Sequence, residues 1–69
     1  MQTLDFTVSG MTCQHCVASV TEEVGEVPGV TEVDVDLATG RLHVVGDGLS
    51  AEQVQAAVAE AGDYTAQSA

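Results

Sequence analysis

The feature that most restricts this chain is a switch of hydrophobic period, made twice in the same order. Leu4, Phe6 and Val8 alternate with Thr3, Asp5 and Thr7, the pattern of a half-buried strand that Gly10 closes. Val17, Val20, Val24 and Val27 then recur at helical spacing, so residues 14 to 26 read as a helix with one apolar stripe. Thr12 is placed to cap its start, and Pro28-Gly29 stops it. Val33, Val35 and Leu37 return to alternation with Glu32, Asp34 and Asp36. The turn "LATGR" leads into a third strand from Leu42 to Val45, giving a hairpin. The helical period comes back behind a capping box made of Ser50 and Gln53. Val54, Ala57, Val58 and Ala61 mark this second helix, Gly62 closes it, and "YTAQ" is a short last strand.

The order β-α-β-β-α-β is that of the split βαβ, or ferredoxin-like, α+β arrangement. It predicts a four-stranded antiparallel sheet with both helices on one face. The other face, with Thr3, Thr7, Asp34, Asp36 and His43, is expected to be wet. The two βαβ halves form a weak structural repeat. No linker or second core pattern interrupts the sequence, so residues 1–69 are expected to be one domain.

A core built from 69 residues supplies only ~3–5 kcal/mol, and small domains often add a staple. Cys13 and Cys16 are the two cysteines, and a bridge between them would close almost no loop. Their proximity points to chemistry instead. Cys13 falls in the loop after the first strand and Cys16 in the first helical turn. A helix N-terminus presents unpaired N–H groups and positive dipole charge, which favour thiolate over thiol. The three-residue spacing lets both sulfurs converge on one point.

Several chemistries compete for such a pair. A dithiol redox motif is one, but Gln14-His15 stands where such motifs often carry Gly-Pro. A structural zinc site needs four ligands, and only His15 and His43 are at hand beyond the cysteines. His15, beside Cys16, cannot easily bend onto the same ion. The plainest alternative is a pair of spectator thiols, which close spacing at a helix mouth argues against. Two soft thiolates with few other donors favour Cu(I) at low coordination number.

Charge narrows the partners. Eleven acids against Arg41 alone give a formal net charge of −10. Nucleic acid and anionic membrane surfaces are excluded as partners by the lack of a basic footprint, while basic protein surfaces are favoured. No stretch resembles a targeting signal or approaches the ~18 apolar residues of a membrane span, so the expected location is cytoplasmic.

"GMTCQHC" followed by "VASVTEEVGEVPGVTEVDVDLATGRLHV" resembles the heavy-metal-associated domain, in particular the small bacterial copper chaperones. The resemblance runs from Thr3 to Ala66. It rests on the Gly-Met-Thr-Cys-x-x-Cys loop, the Pro-Gly-Val after the first helix and the Ala-Gly closing the second. It implies Cu(I) held by Cys13 and Cys16 and handed to a similar domain on a copper-transporting P-type ATPase. The resemblance leaves open a copper-bridged homodimer, with four thiolates sharing the ion. It equally fits an excised module of such an ATPase, or a zinc-, cadmium- or mercury-binding relative.

The resemblance also implies roles for the neighbours of the pair. Met11 is expected beneath the loop as an apolar anchor rather than a thioether ligand. Thr12 stands where zinc- or cadmium-selective relatives carry an acid, which favours copper. His15 is expected to face solvent, and His43 to be an ordinary surface histidine. Bacterial chaperones place tyrosine directly after Ala-Gly, close to the metal loop. Here Asp63 intervenes, and the expectation is that Tyr64 reaches the site while Asp63 turns to water. Glu22, Glu23, Glu26 and Asp63 are the acids expected to guide docking.

Overall fold

The structure, a computed structural model, describes residues 1–68; the expected domain boundary at residue 69 lies outside the described residues. Six elements follow in the anticipated order: β1 (Gln2–Ser9), α1 (Gln14–Gly25), β2 (Val30–Asp36), β3 (Arg41–Gly46), α2 (Ala51–Ala61) and β4 (Thr65–Ser68). The strands form one sheet in the order β2-β3-β1-β4, every neighbouring pair antiparallel. This is the ferredoxin-like α+β fold.

The core lies between the sheet and the two helices. Phe6 and Val8 from β1, Leu42 and Val44 from β3 and Ala66 from β4 meet Val20 and Val24 from α1 and Val54, Ala57 and Val58 from α2. Leu42, Val20, Val24, Val44, Val54 and Val58 are wholly shielded from solvent. Each strand sends alternate residues to this layer, so register decides which face each side chain joins. Val33 and Val35 are only half-buried because β2 is an edge strand, covered on one side.

Three local expectations are corrected. Leu37 does not end the second strand; β2 stops at Asp36, and Leu37 begins the turn to β3. There the Ala38 N–H takes up Asp36 Oδ1 at 2.9 Å, a side-chain contact that competes with further pairing. Cys13, not Thr12, is the N-cap of α1, and it makes no side-chain cap bond. Ser50 does occupy the N-cap of α2, but its hydroxyl makes no cap hydrogen bond, so the capping box is not formed.

The opposite sheet face is exposed at Thr3, Thr7, Asp34 and Asp36, as expected of a wet face. His43 sits there between Asp5 and Asp34 in the registers of β1 and β2, with Nδ1 2.7 Å from Asp5 Oδ1. Both partners are over two-fifths exposed, so this pair adds little to stability. No helix among the described residues is long and apolar enough to cross a membrane.

Register also gathers three connections at one end of the molecule. The Val8 N–H donates to Gly40 O at 2.7 Å, tying the end of β1 to the β2–β3 turn. Ser9 pairs with Thr65, which brings the α2–β4 connection alongside the loop that holds the cysteines.

Candidate metal centre

The loop leaves β1 at Gly10, whose φ of +102° is a left-handed conformation that side chains disfavour. Met11 follows, half-buried and packed against the core, so it anchors the loop from below as expected. Cys13 has extended backbone, and its carbonyl accepts from the Cys16 and Val17 N–H groups at 3.0 and 3.3 Å, starting α1. This geometry sets the two side chains side by side. Cys13 Sγ lies 3.8 Å from Cys16 Sγ, both are free thiols, Cys13 is exposed and Cys16 half-exposed.

Cys16 is shifted toward thiolate, with its pKa lowered from 9.0 to about 6. The largest cause is the Thr12 backbone N–H directed at the sulfur, followed by the Tyr64 hydroxyl. Partial burial pushes the other way, and the Thr12 hydroxyl and the Cys13 N–H add smaller stabilisation. Tyr64 is shifted oppositely, above its ordinary value, first because its hydroxyl donates to Cys16 and then through burial. The charges of Cys16, Cys13 and Asp63 add to that shift, so the phenol remains a proton donor beside the thiolate.

The structure thus brings Tyr64 to the pair despite the intervening Asp63, which is exposed. His15 is exposed on the first turn of α1, and His43 lies on the open sheet face. Of the acids expected to guide docking, Asp63 alone belongs to the metal-loop end. Glu22 and Glu23 lie in the far half of α1 and Glu26 caps its C-terminus. That helix of 12 residues is about 18 Å long. Those three thus belong to the helix and not to the loop.

Among the described residues, no three His, Cys, Asp or Glu side chains come together as a metal-holding group. An open groove of about 500 Å³, lined by Gln14 and by Asp34 to Ala38, runs along the β2 edge without reaching either sulfur. The thiols therefore stand on an open surface, not inside a cavity. Two adjacent soft donors so disposed leave room for an incoming ligand.

Fold and site together define a class, the small ferredoxin-like metal-binding domain. Comparison with known proteins makes this specific: residues 5–63 match the heavy-metal-associated domain, and the chain belongs to that family. It is similar to the COP-associated protein of Helicobacter felis, 42% identical over 60 residues that cover 86% of this chain and 91% of that protein. It is also similar to the copper chaperone CopZ of Bacillus subtilis, 50% identical over 40 residues, 58% of each chain. Among solved structures, a copper binding domain from HMA7, a P-type ATPase, superposes with a TM-score of 0.93 at 31% identity. That match covers 100% of this chain and 95% of the other.

Proposed function

We propose that this chain is a carrier of Cu(I), one ion held between the Cys13 and Cys16 thiolates. In this reading residues 1–69 act as one domain, in the cytoplasm, with no catalysis of their own. The observation that carries it is the exposed sulfur pair, 3.8 Å apart. No third His, Cys, Asp or Glu donor joins it among the described residues. Zinc would want four ligands, whereas Cu(I) is satisfied by few soft ones. The likeness to proteins named as copper chaperones supports the same metal.

The receiving partner is a metal-binding domain of a copper-transporting P-type ATPase. The likeness of this fold to an ATPase's copper binding domain supports that pairing, because similar sites on both sides let thiolates exchange an ion between near-equivalent environments. An incoming thiolate attacks Cu(I) on the open side of the pair, a three-coordinate state is shared, and one original thiolate leaves. Copper keeps its oxidation state throughout.

Anaerobic titration with Cu(I) and Zn(II) against chelators of matched strength tests the reading. Retention of one Cu(I) per chain with loss of Zn(II) is expected, and the reverse order would overturn it. The lowered Cys16 pKa also suits disulfide exchange, so the same preparation is assayed for reduction of a disulfide substrate. Enzyme-like turnover with weak Cu(I) retention would make it an oxidoreductase instead.

A further inference from the structure

The outer strands of the sheet are unlike. β4 runs only from Thr65 to Ser68, whereas β2 is seven residues long and has no strand beyond it among the described residues. A long free edge leaves backbone N–H and C=O groups to pair with another strand. The bulge between Val30 and Glu32 disturbs the start of β2, so its regular pairing runs from Glu32 to Asp36. The groove lies along the end of that regular stretch, lined by Gln14 and by Asp34 to Ala38. Asp34 and Asp36 belong to the open sheet face and Val35 to the helix face. The groove therefore follows the free edge of the strand and takes lining from both of its faces.

The charge on this edge is uncompensated. Asp34 stands opposite His43 in register, and Asp36 opposite Arg41. His43 turns Nδ1 to Asp5 instead, at 2.7 Å, and Arg41 makes no ion pair among the described residues. A second copy of this chain does not suit the edge. It carries the same −10 charge, and two β2 edges side by side would bring like charges together. We propose that the β2 edge is a docking site for an extended basic segment of a partner protein. The segment adds to the sheet as a further strand, with lysine or arginine side chains on Asp34 and Asp36 and apolar ones toward Val35 and Leu37. Gln14 lines the groove at the metal-loop end, so the occupant lies beside the thiols without touching them. The proposal does not depend on which metal those thiols hold.

The competing explanation is that the edge acids only keep copies of the chain from pairing, a common use of charge on an outer strand. NMR titration of the reduced, metal-free full chain separates the two. The probe is a short peptide of alternating lysine and valine, whose two faces match the acidic and apolar sides of the groove. The same peptide with glutamate in place of lysine is the control for charge. Two further versions carry backbone N-methyl groups, one at the valines and one at the lysines. Only alternate residues of a strand turn their N–H groups to a given neighbour, so one version loses its pairing and the other keeps it.

The lysine–valine peptide should shift the amides of Gln14 and residues 34–38 and leave those of Glu22, Glu23 and Glu26 in place. The glutamate peptide should shift none of them. Asp34→Asn and Asp36→Asn should each weaken binding about fivefold, the upper worth of an exposed ion pair. Asparagine at 36 still offers an oxygen to the Ala38 N–H, so the turn is kept. Binding should also survive in Cys13→Ser/Cys16→Ser, which separates this edge from the metal reading. Shifts as large at Glu22, Glu23 and Glu26 as in the groove would mean unselective attraction and overturn the proposal. Equal binding by the two methylated peptides would remove strand addition, and loss of binding in the double serine variant would move the docking to the metal loop. Unchanged affinity in Asp34→Asn/Asp36→Asn would leave these acids as a guard against self-pairing alone.

Discussion

Thr12 Oγ1 lies 3.8 Å from Cys16 Sγ, and the backbone N–H of the same threonine is the largest influence holding that sulfur toward its ionised form. The residue expected to cap α1 thus turns both its polar groups onto the second cysteine. Capping and thiolate stabilisation draw on the same short segment, and here the sulfur takes the donors. In the metal-free protein, alkylation of Cys16 should rise with a midpoint near pH 6, the value to which its pKa falls. Thr12→Val, which removes the hydroxyl and keeps the N–H, should move the midpoint up by less than Tyr64→Phe does. Rate against pH, read by peptide mass spectrometry, checks both.

The same shift fixes a pH dependence of folding. The folded pKa lies below the ordinary one, so the ionised thiol favours the folded state at alkaline pH. That contribution is complete above about pH 9 and is lost as pH falls through about 6. Denaturant melts of wild type and Cys16→Ser should therefore diverge as pH rises across this window, with the wild type gaining. Parallel curves across the window would contradict the shift.

Much of this was legible in the sequence, and the exceptions share a cause. The βαββαβ order, the valine stripe of α1 and the half-buried Met11 follow from periods and residue types that act locally. Thr12 and Ser50 were expected to cap their helices and do not, because a cap is one of several bonds open to a short polar side chain. Leu37 has a strand-like apolar side chain but falls where Asp36 has already turned the backbone. The pairing of His43 with Asp5 depends on register across β1 and β3, which periodicity does not set. Tyr64 was suspected only from the family resemblance. No spacing rule links it to Cys16, and its ring comes against Gly10 and Gly62 only when the two loops stand side by side.

Leu42 is wholly buried at the centre of the sheet, so Leu42→Ala should destabilise the fold by ~2–5 kcal/mol. In so small a core that approaches the entire margin. Thermal melts should show a large loss, and excess Cu(I) should recover part of it, because ligand binding to the folded state raises its stability. Recovery absent in Leu42→Ala, with Cu(I) still bound, would mean that the metal does not select the folded state.

Charge steering is expected to act from the end that carries the metal loop. Asp63 stands there, while Glu22 and Glu23 sit in the far half of α1. Association with the ATPase domain should slow as the Debye length shortens from ~30 Å at 0.01 M to ~8 Å at 0.15 M. At the higher salt, Asp63→Lys should slow transfer more than reversal of Glu22 and Glu23 together. Stopped-flow transfer rates decide this, and a rate indifferent to salt and to all three reversals would remove the −10 net charge from partner recognition.

Whether Cys13 and Cys16 alone hold the ion is read by copper X-ray absorption of the anaerobically loaded monomer. A shell of two sulfurs and no nitrogen is expected, unchanged in His15→Ala and lost in both Cys13→Ser and Cys16→Ser. A nitrogen in that shell that disappears with His15→Ala, or a sulfur that disappears with Met11→Leu, would contradict it.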